Sequence, residues 1–206
     1  MSDKPGEHPA PHPQLARRKP LIHTLKTGTT IFRIHPAAFG AVFFGKTGNY
    51  RYDAPDCPDG SFGVMYAGED LDCCFIESFG QTTGAPAVTV AYLEERHFAE
   101  MQLQSDLHLV DLFESGSLSR IGADGRLLTG SYKISQQWSA ALRSHPTKPD
   151  GIRYRSRRDP AKVAYAIYER PSSTFAVTEH GSLMDMKNRA QLNRLLDLYQ
   201  VDLLDA

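Results

Sequence analysis

Apolar residues recur along the chain with two periods, which predicts an alternation of short strands and helices. Residues 29–35 and 63–67 are short apolar runs flanked by turn formers and predict buried strands. Between them, residues 39–58 are rich in Gly, Pro, Asp and aromatics, the composition of an ordered, ligand-lining loop. Within residues 69–79, Leu71, Cys74, Phe75 and Phe79 share a helical face, and Gly80 is a plausible stop, so Glu77 falls near a helix end. Runs 87–93 and 107–112 predict strands, 132–144 a helix, and 151–154 and 162–168 two more strands. Across residues 185–204, Leu192, Leu195, Leu196 and Leu203 line one helical face, as in a terminal helix docked on the body. The same face could seat a partner or a second copy of the chain, and its apolar residues do not separate these uses.

Residues 1–20 combine prolines, histidines and charges with few large apolar groups, so a flexible tail is expected there and a single domain over residues 21–206. A chain of 206 residues can bury one α+β core. Hydrophobic content of 41% and charged content of 23% are ordinary globular usage, which excludes disordered, collagen-like and coiled-coil chains. The formal net charge of -1 gives no overall attraction to nucleic acid or to an acidic membrane surface. Apolar runs such as 39–44 and 107–113 are too short to span a bilayer, and the N-terminal segment lacks the apolar centre of a signal peptide. A cytoplasmic protein is therefore expected.

The three cysteines, Cys57, Cys73 and Cys74, suit neither a disulfide framework nor the spaced pairs of a zinc site; Cys73 and Cys74 read as small buried hydrophobes. The histidines form no spaced cluster with carboxylates or thiols, so no metal is expected. Residues 60–68, GSFGVMYAG, are not spaced as GxGxxG, and GxxxxGK[ST], HExxH and GxSxG are absent. Arg153, Arg155, Arg157 and Arg158 alternate with Tyr154 and Ser156; taken alone the run reads as a charged face shown to water, with phosphate binding as its other use.

Four segments together are specific: FRIHPAAFG at 32–40, NYRYDAP at 49–55, GVMYAGEDLDCCFIESFG at 63–80 and DGIRYRSRRDP at 150–160. In this order they resemble the RES domain family, and the resemblance runs from about residue 29 to 171, taking in VDL at 110–112 and WSAALRSHP from Trp138. It carries the family's arginine onto Arg33, a second functional arginine onto Arg51, the strand tyrosine onto Tyr66, the helix glutamate onto Glu77 and the serine onto Ser156. Asn49 and Tyr50 stand before Arg51 where glycine commonly precedes the arginine, a departure from the family pattern.

The resemblance implies an ADP-ribosyltransferase-like α+β fold, with two small, mainly antiparallel sheets around an NAD+ cleft and helices packed outside. It also implies an NAD+-consuming enzyme, the toxin of a toxin–antitoxin pair, restrained by an Xre-type helix-turn-helix antitoxin. NAD+ would be the substrate, with no other cofactor and no metal. Guanidinium forks suit the NAD+ pyrophosphate or ribose, which is the role given to Arg33 and Arg51. Breaking the ribose–nicotinamide bond builds positive charge on the sugar, which the Glu77 carboxylate can stabilise. Tyr66 could stack on the nicotinamide ring, and Ser156 could orient the amide or ribose. Nicotinamide leaves neutral, so no general acid is demanded. Water or phosphate as acceptor makes a glycohydrolase or phosphorylase; a protein side chain as acceptor makes an ADP-ribosyltransferase. A binding module without turnover is the reading from another class, and a homo-oligomer stays open.

Overall fold

The computed structural model describes residues 10–55, 62–80 and 86–205. The chain runs through β1 (Ile22–Leu25), β2 (Thr30–Pro36), β3 (Val64–Gly68), α1 (Leu71–Phe79), β4 (Ala87–Thr89), α2 (Val90–Glu94), β5 (Arg96–Leu103) and β6 (Leu107–Asp111). It continues through α3 (Ser117–Ile121), α4 (Arg126–Thr129), α5 (Tyr132–Arg143), β7 (Gly151–Arg155), β8 (Val163–Tyr168), β9 (Phe175–Ser182), α6 (Arg189–Tyr199) and β10 (Asp202–Leu204).

Eight strands form one sheet in the order β1-β6-β7-β8-β3-β2-β5-β9, and β10 pairs with β4 apart from it. Pairing in the large sheet is antiparallel except between β6 and β7. β8 lies inside the sheet and is buried along its whole length, which is why its sequence, VAYAIY, shows no alternation. β2 alternates instead, so Ile31, Arg33 and His35 share its buried face.

The join between β2 and β3 opens the molecule. These strands meet at Phe32 opposite Gly68, whereas β2 pairs with β5 over residues 30–36 and β3 with β8 over residues 64–68. The two small sheets expected from the sequence are thus two arms of one sheet, hinged at a narrow seam. The wall of the opening is built where the two strands are not paired with each other, from Arg33 and Ile34 on one side and Val64, Tyr66 and Ala67 on the other.

Helix α1 starts where Asp70 accepts a hydrogen bond from the Cys73 amide at 2.8 Å and stops at Gly80. Such a cap is worth about 1 kcal/mol. Phe75 and Phe79 of α1 pack with Leu192 and Leu195 of α6 and with Phe98 and Leu183. On the other arm, Trp138 and Leu142 of α5 pack on Val110, Ile152 and Tyr168.

Several expectations change in detail. The run 87–93 is not one strand: the Thr89 hydroxyl accepts from the Tyr92 amide at 3.2 Å and starts α2 instead. The terminal helix ends at Tyr199, where Gln200 turns left-handed at φ 50°, so Leu203 belongs to β10 rather than to the helical face. The packed chain also begins before residue 21. Leu15 is buried in the core, and the His145 ring bonds the Arg18 carbonyl at 3.2 Å. Residues 1–9 of the expected tail, residues 56–58 of the expected loop and Cys57 lie outside the described residues. Among those described, no helix is long and apolar enough to cross a membrane.

Candidate active site

The opening at the β2–β3 seam is a cavity of about 360 Å³, within the usual range of small-ligand sites. Arg33, Arg51, Tyr66 and Glu77 all line it. Ser156 is fully buried behind Glu77 and donates its hydroxyl to the Glu77 carboxylate at 2.5 Å. Five residues spread over 124 positions of sequence, from 33 to 156, therefore converge.

The orientation of Ser156 follows from its turn. Its hydroxyl oxygen accepts from the amides of Arg158 and Asp159, each at 3.1 Å, so its single proton is left to point at Glu77. The Arg158 guanidinium in turn donates to the Gly80 carbonyl, fastening this turn to the end of α1.

Arg33 donates to the carbonyls of Ala41 at 2.5 Å and Phe43 at 2.9 Å, so it also holds the loop that carries Phe39 and Phe43. Burial lowers Arg33 to about 10, which leaves it charged at neutral pH. The same loop is held by His35, which bonds the Phe39 carbonyl at 2.8 Å, and by Glu179, which accepts from the Ala41 amide at 3.3 Å.

Arg51 lies across the cavity and is 9% exposed. Its Nη1 donates to the Gly130 carbonyl at 2.9 Å and to the Ser135 hydroxyl at 3.1 Å, and its guanidinium sits 4.7 Å from the centre of the Tyr132 ring. Its Nη2 is buried without a hydrogen-bond partner among the described residues. A buried, charged donor without a partner is costly, and an anionic ligand would relieve that cost.

Tyr66 shows its ring to the cavity while its hydroxyl donates to Asp53 at 2.9 Å and accepts from the Tyr52 amide at 2.9 Å. Burial raises Tyr66 well above its ordinary value and Asp53 adds to the shift, so Tyr66 remains a donor at neutral pH. Asp53 is 1% exposed and also accepts from the Tyr50 amide at 3.1 Å, so it locks the segment beside Arg51. Burial raises Asp53 itself, opposed by these hydrogen bonds.

Asp53, which holds the Tyr66 hydroxyl beside the cavity, is not among the motif residues, although it stands two residues from Arg51 in NYRYDAP. Tyr132 and Arg96 are not among them either; nothing local in the sequence marks them as cavity residues. The basic run is corrected too. Arg153 pairs with Asp111 at 2.6 Å and lies over Phe113, while Arg155, Arg157 and Arg158 line the cavity rather than simply facing water. Cys73 and Cys74 are buried as expected, and burial pushes both thiols up, Cys74 to about 12, so neither is a thiolate nucleophile.

Among the described residues, a hinged α+β sheet surrounds a cleft that presents arginines and a serine-held glutamate, in keeping with the ADP-ribosyltransferase-like fold that the family resemblance implies. The chain belongs to the RES domain family, whose model matches residues 30–187. It is 31% identical over 121 residues to a probable toxin, y4kH, of Sinorhizobium fredii, a match covering 58% of this chain and 92% of the relative. The fold is similar to a chain of the crystal structure of the M. tuberculosis MbcT-MbcA toxin-antitoxin complex, with TM-score 0.52 and 16% identity over 81% of this chain and 92% of that one.

Proposed function

We propose that the chain is an NAD+-consuming enzyme that cleaves the bond between ribose C1′ and nicotinamide, and that it acts as the toxin of a toxin–antitoxin pair. One observation carries the reading: among the described residues a single carboxylate, Glu77, faces the cavity and is fixed by Ser156 at 2.5 Å, among walls otherwise charged by arginine.

The chemistry follows from charge. As the C1′–N bond breaks, its electron pair leaves with nicotinamide, which departs neutral, and the ribose takes up positive charge. The Glu77 carboxylate stabilises that charge more than it stabilises the ground state. The Ser156 hydroxyl keeps the carboxylate in one orientation before reaction. Arg51 offers its unpartnered Nη2 to the pyrophosphate, and Tyr66 offers a ring face pinned at its far end by Asp53. The new bond to C1′ then forms either from the oxygen of water, which gives up its proton to solvent, or from an anionic oxygen of phosphate, which has no proton to lose. Arg155 and Arg157, exposed on the cavity wall, favour an anionic acceptor such as phosphate.

The toxin role draws on the family and on its relatives, a probable toxin and a member of a toxin-antitoxin complex. Phe39, Phe43, Tyr50 and Tyr132 stand at the cavity with 40% to 57% of their surface exposed, a composition that suits coverage by a protein partner. An antitoxin of the helix-turn-helix type is the partner the family resemblance favours. Induced expression in bacteria tests the reading: cellular NAD+ falls and growth stops with the wild type and not with Glu77→Ala. Growth arrest by both with NAD+ unchanged would overturn it.

A further inference from the structure

The Ser156–Glu77 pair is tied to the C-terminal helix, which lies beyond the residues matched by the family model. Tyr199, the last residue of α6, stacks on Phe75 of α1, with ring centres 6.1 Å apart and planes 14° from parallel. Its hydroxyl donates to Asp159 Oδ2 at 3.1 Å.

Asp159 organises the turn that begins at Ser156. Its amide donates to the Ser156 hydroxyl oxygen at 3.1 Å, its Oδ1 accepts from the Ala161 amide at 3.1 Å, and its carbonyl accepts from the Lys162 amide at 2.9 Å. Lys162 closes the turn by accepting from the Ser156 amide at 2.9 Å, and its ammonium reaches Asp70 at 2.6 Å and Asp72 at 3.2 Å at the start of α1. Arg194 of α6 pairs with the same Asp72. Both the turn and α1 are therefore braced against α6. The Asp159 side chain is the link between α6 and the amide that orients Ser156.

We propose that Tyr199 is a positioning residue for the Ser156–Glu77 pair: its hydroxyl fixes Asp159, and Asp159 holds the turn whose amides aim the Ser156 proton at Glu77. This rests on the reading that Glu77 and Ser156 serve the reaction. Tyr199 touches no reacting atom and acts through the turn.

Tyr199→Phe keeps the ring on Phe75 and removes one hydrogen bond, so the helix stays docked. Nicotinamide release from NAD+ by the purified full chain is predicted to lose about three- to tenfold in kcat, the worth of one net hydrogen bond, with KM unchanged. Asp159→Ala is predicted to reproduce the loss. Adding Tyr199→Phe to Ser156→Ala is predicted to cost nothing further, because the group being positioned is already gone. Equal losses in the wild-type and Ser156→Ala backgrounds, or an unchanged kcat, overturn the proposal. Amide hydrogen exchange gives a second readout that does not depend on turnover. Tyr199→Phe is predicted to speed exchange at the Arg158 and Asp159 amides and to leave the Phe75 amide unchanged; no change at Arg158 and Asp159 refutes the link. A wild-type chain that releases no nicotinamide while those two amides respond would reject the proposed reaction and leave the positioning link standing.

Discussion

The Ser156 hydroxyl donates to the Glu77 carboxylate at 2.5 Å across 79 residues of sequence, joining the turn after β7 to the last turn of α1. A carboxylate at a helix C-terminus faces the unfavourable end of the helix dipole, so a donor at this position has an electrostatic reason to be present.

Ser156→Ala removes that donor and leaves the Arg158 and Asp159 amides without their acceptor. A hydrogen bond to a charged group is worth about 1.5–3 kcal/mol, so the rate of NAD+ cleavage is predicted to fall roughly 10- to 100-fold. Steady-state kinetics of nicotinamide release check this, and an unchanged kcat would contradict it.

Arg51→Ala is predicted to raise KM for NAD+ roughly 10-fold or more, because it deletes the buried fork whose Nη2 has no hydrogen-bond partner among the described residues. Arg51→Lys should not restore binding: one ammonium cannot serve Gly130, Ser135 and a ligand as the planar fork can. Calorimetric titration of NAD+ into the catalytically disabled Glu77→Ala protein, with and without each Arg51 change, separates binding from turnover.

How far the site was legible in the sequence differs residue by residue. Glu77 and Tyr66 were marked by the family resemblance, on a segment with helical periodicity and on a short apolar run, and four of the five motif residues line the cavity with Ser156 behind Glu77. Asp53, Tyr132 and the Tyr199–Asp159 link were not legible, since each depends on contacts between segments remote in the chain. The strands β1, β5 and β9 were missed for a related reason. In β5, RHFAEMQL mixes charged and apolar residues without strict alternation, and β9 is an edge strand whose middle is exposed, so neither shows the signature of a buried strand. The end of the terminal helix was misplaced because only the left-handed Gln200 separates it from β10.

Gly68 stands where the two arms of the sheet meet, and a Cβ there would lie 2.9 Å from both Cys73 Cβ and Cys74 Sγ of α1. Gly68→Ala is predicted to push α1 away from the seam, displacing Glu77, and to cost about 1–3 kcal/mol of stability by overpacking. Urea unfolding together with turnover checks both effects; wild-type stability with wild-type activity would contradict the packing described.

The bridge from Asp72 to Arg194, with Lys162 as a second partner, holds the Asp72 carboxyl below its ordinary value of 3.8. A lowered carboxylate stabilises the fold above its unfolded value and loses that contribution as pH falls through the folded one. Asp72→Asn is therefore predicted to lower the urea midpoint at pH 7, with the gap to wild type closing below about pH 4. A gap that persists undiminished at pH 2 would show that the ion pair is not its cause.

The most direct test of the catalytic assignment is nicotinamide release from NAD+ by purified wild type and Glu77→Gln, with products resolved by mass in the presence and absence of phosphate. Glu77→Gln keeps the shape of the side chain and removes its charge, so release is predicted to fall roughly 10²- to 10³-fold while the protein stays folded. Equal release by the two proteins would contradict the role given to Glu77, and the absence of release by the wild type would contradict the proposed reaction itself.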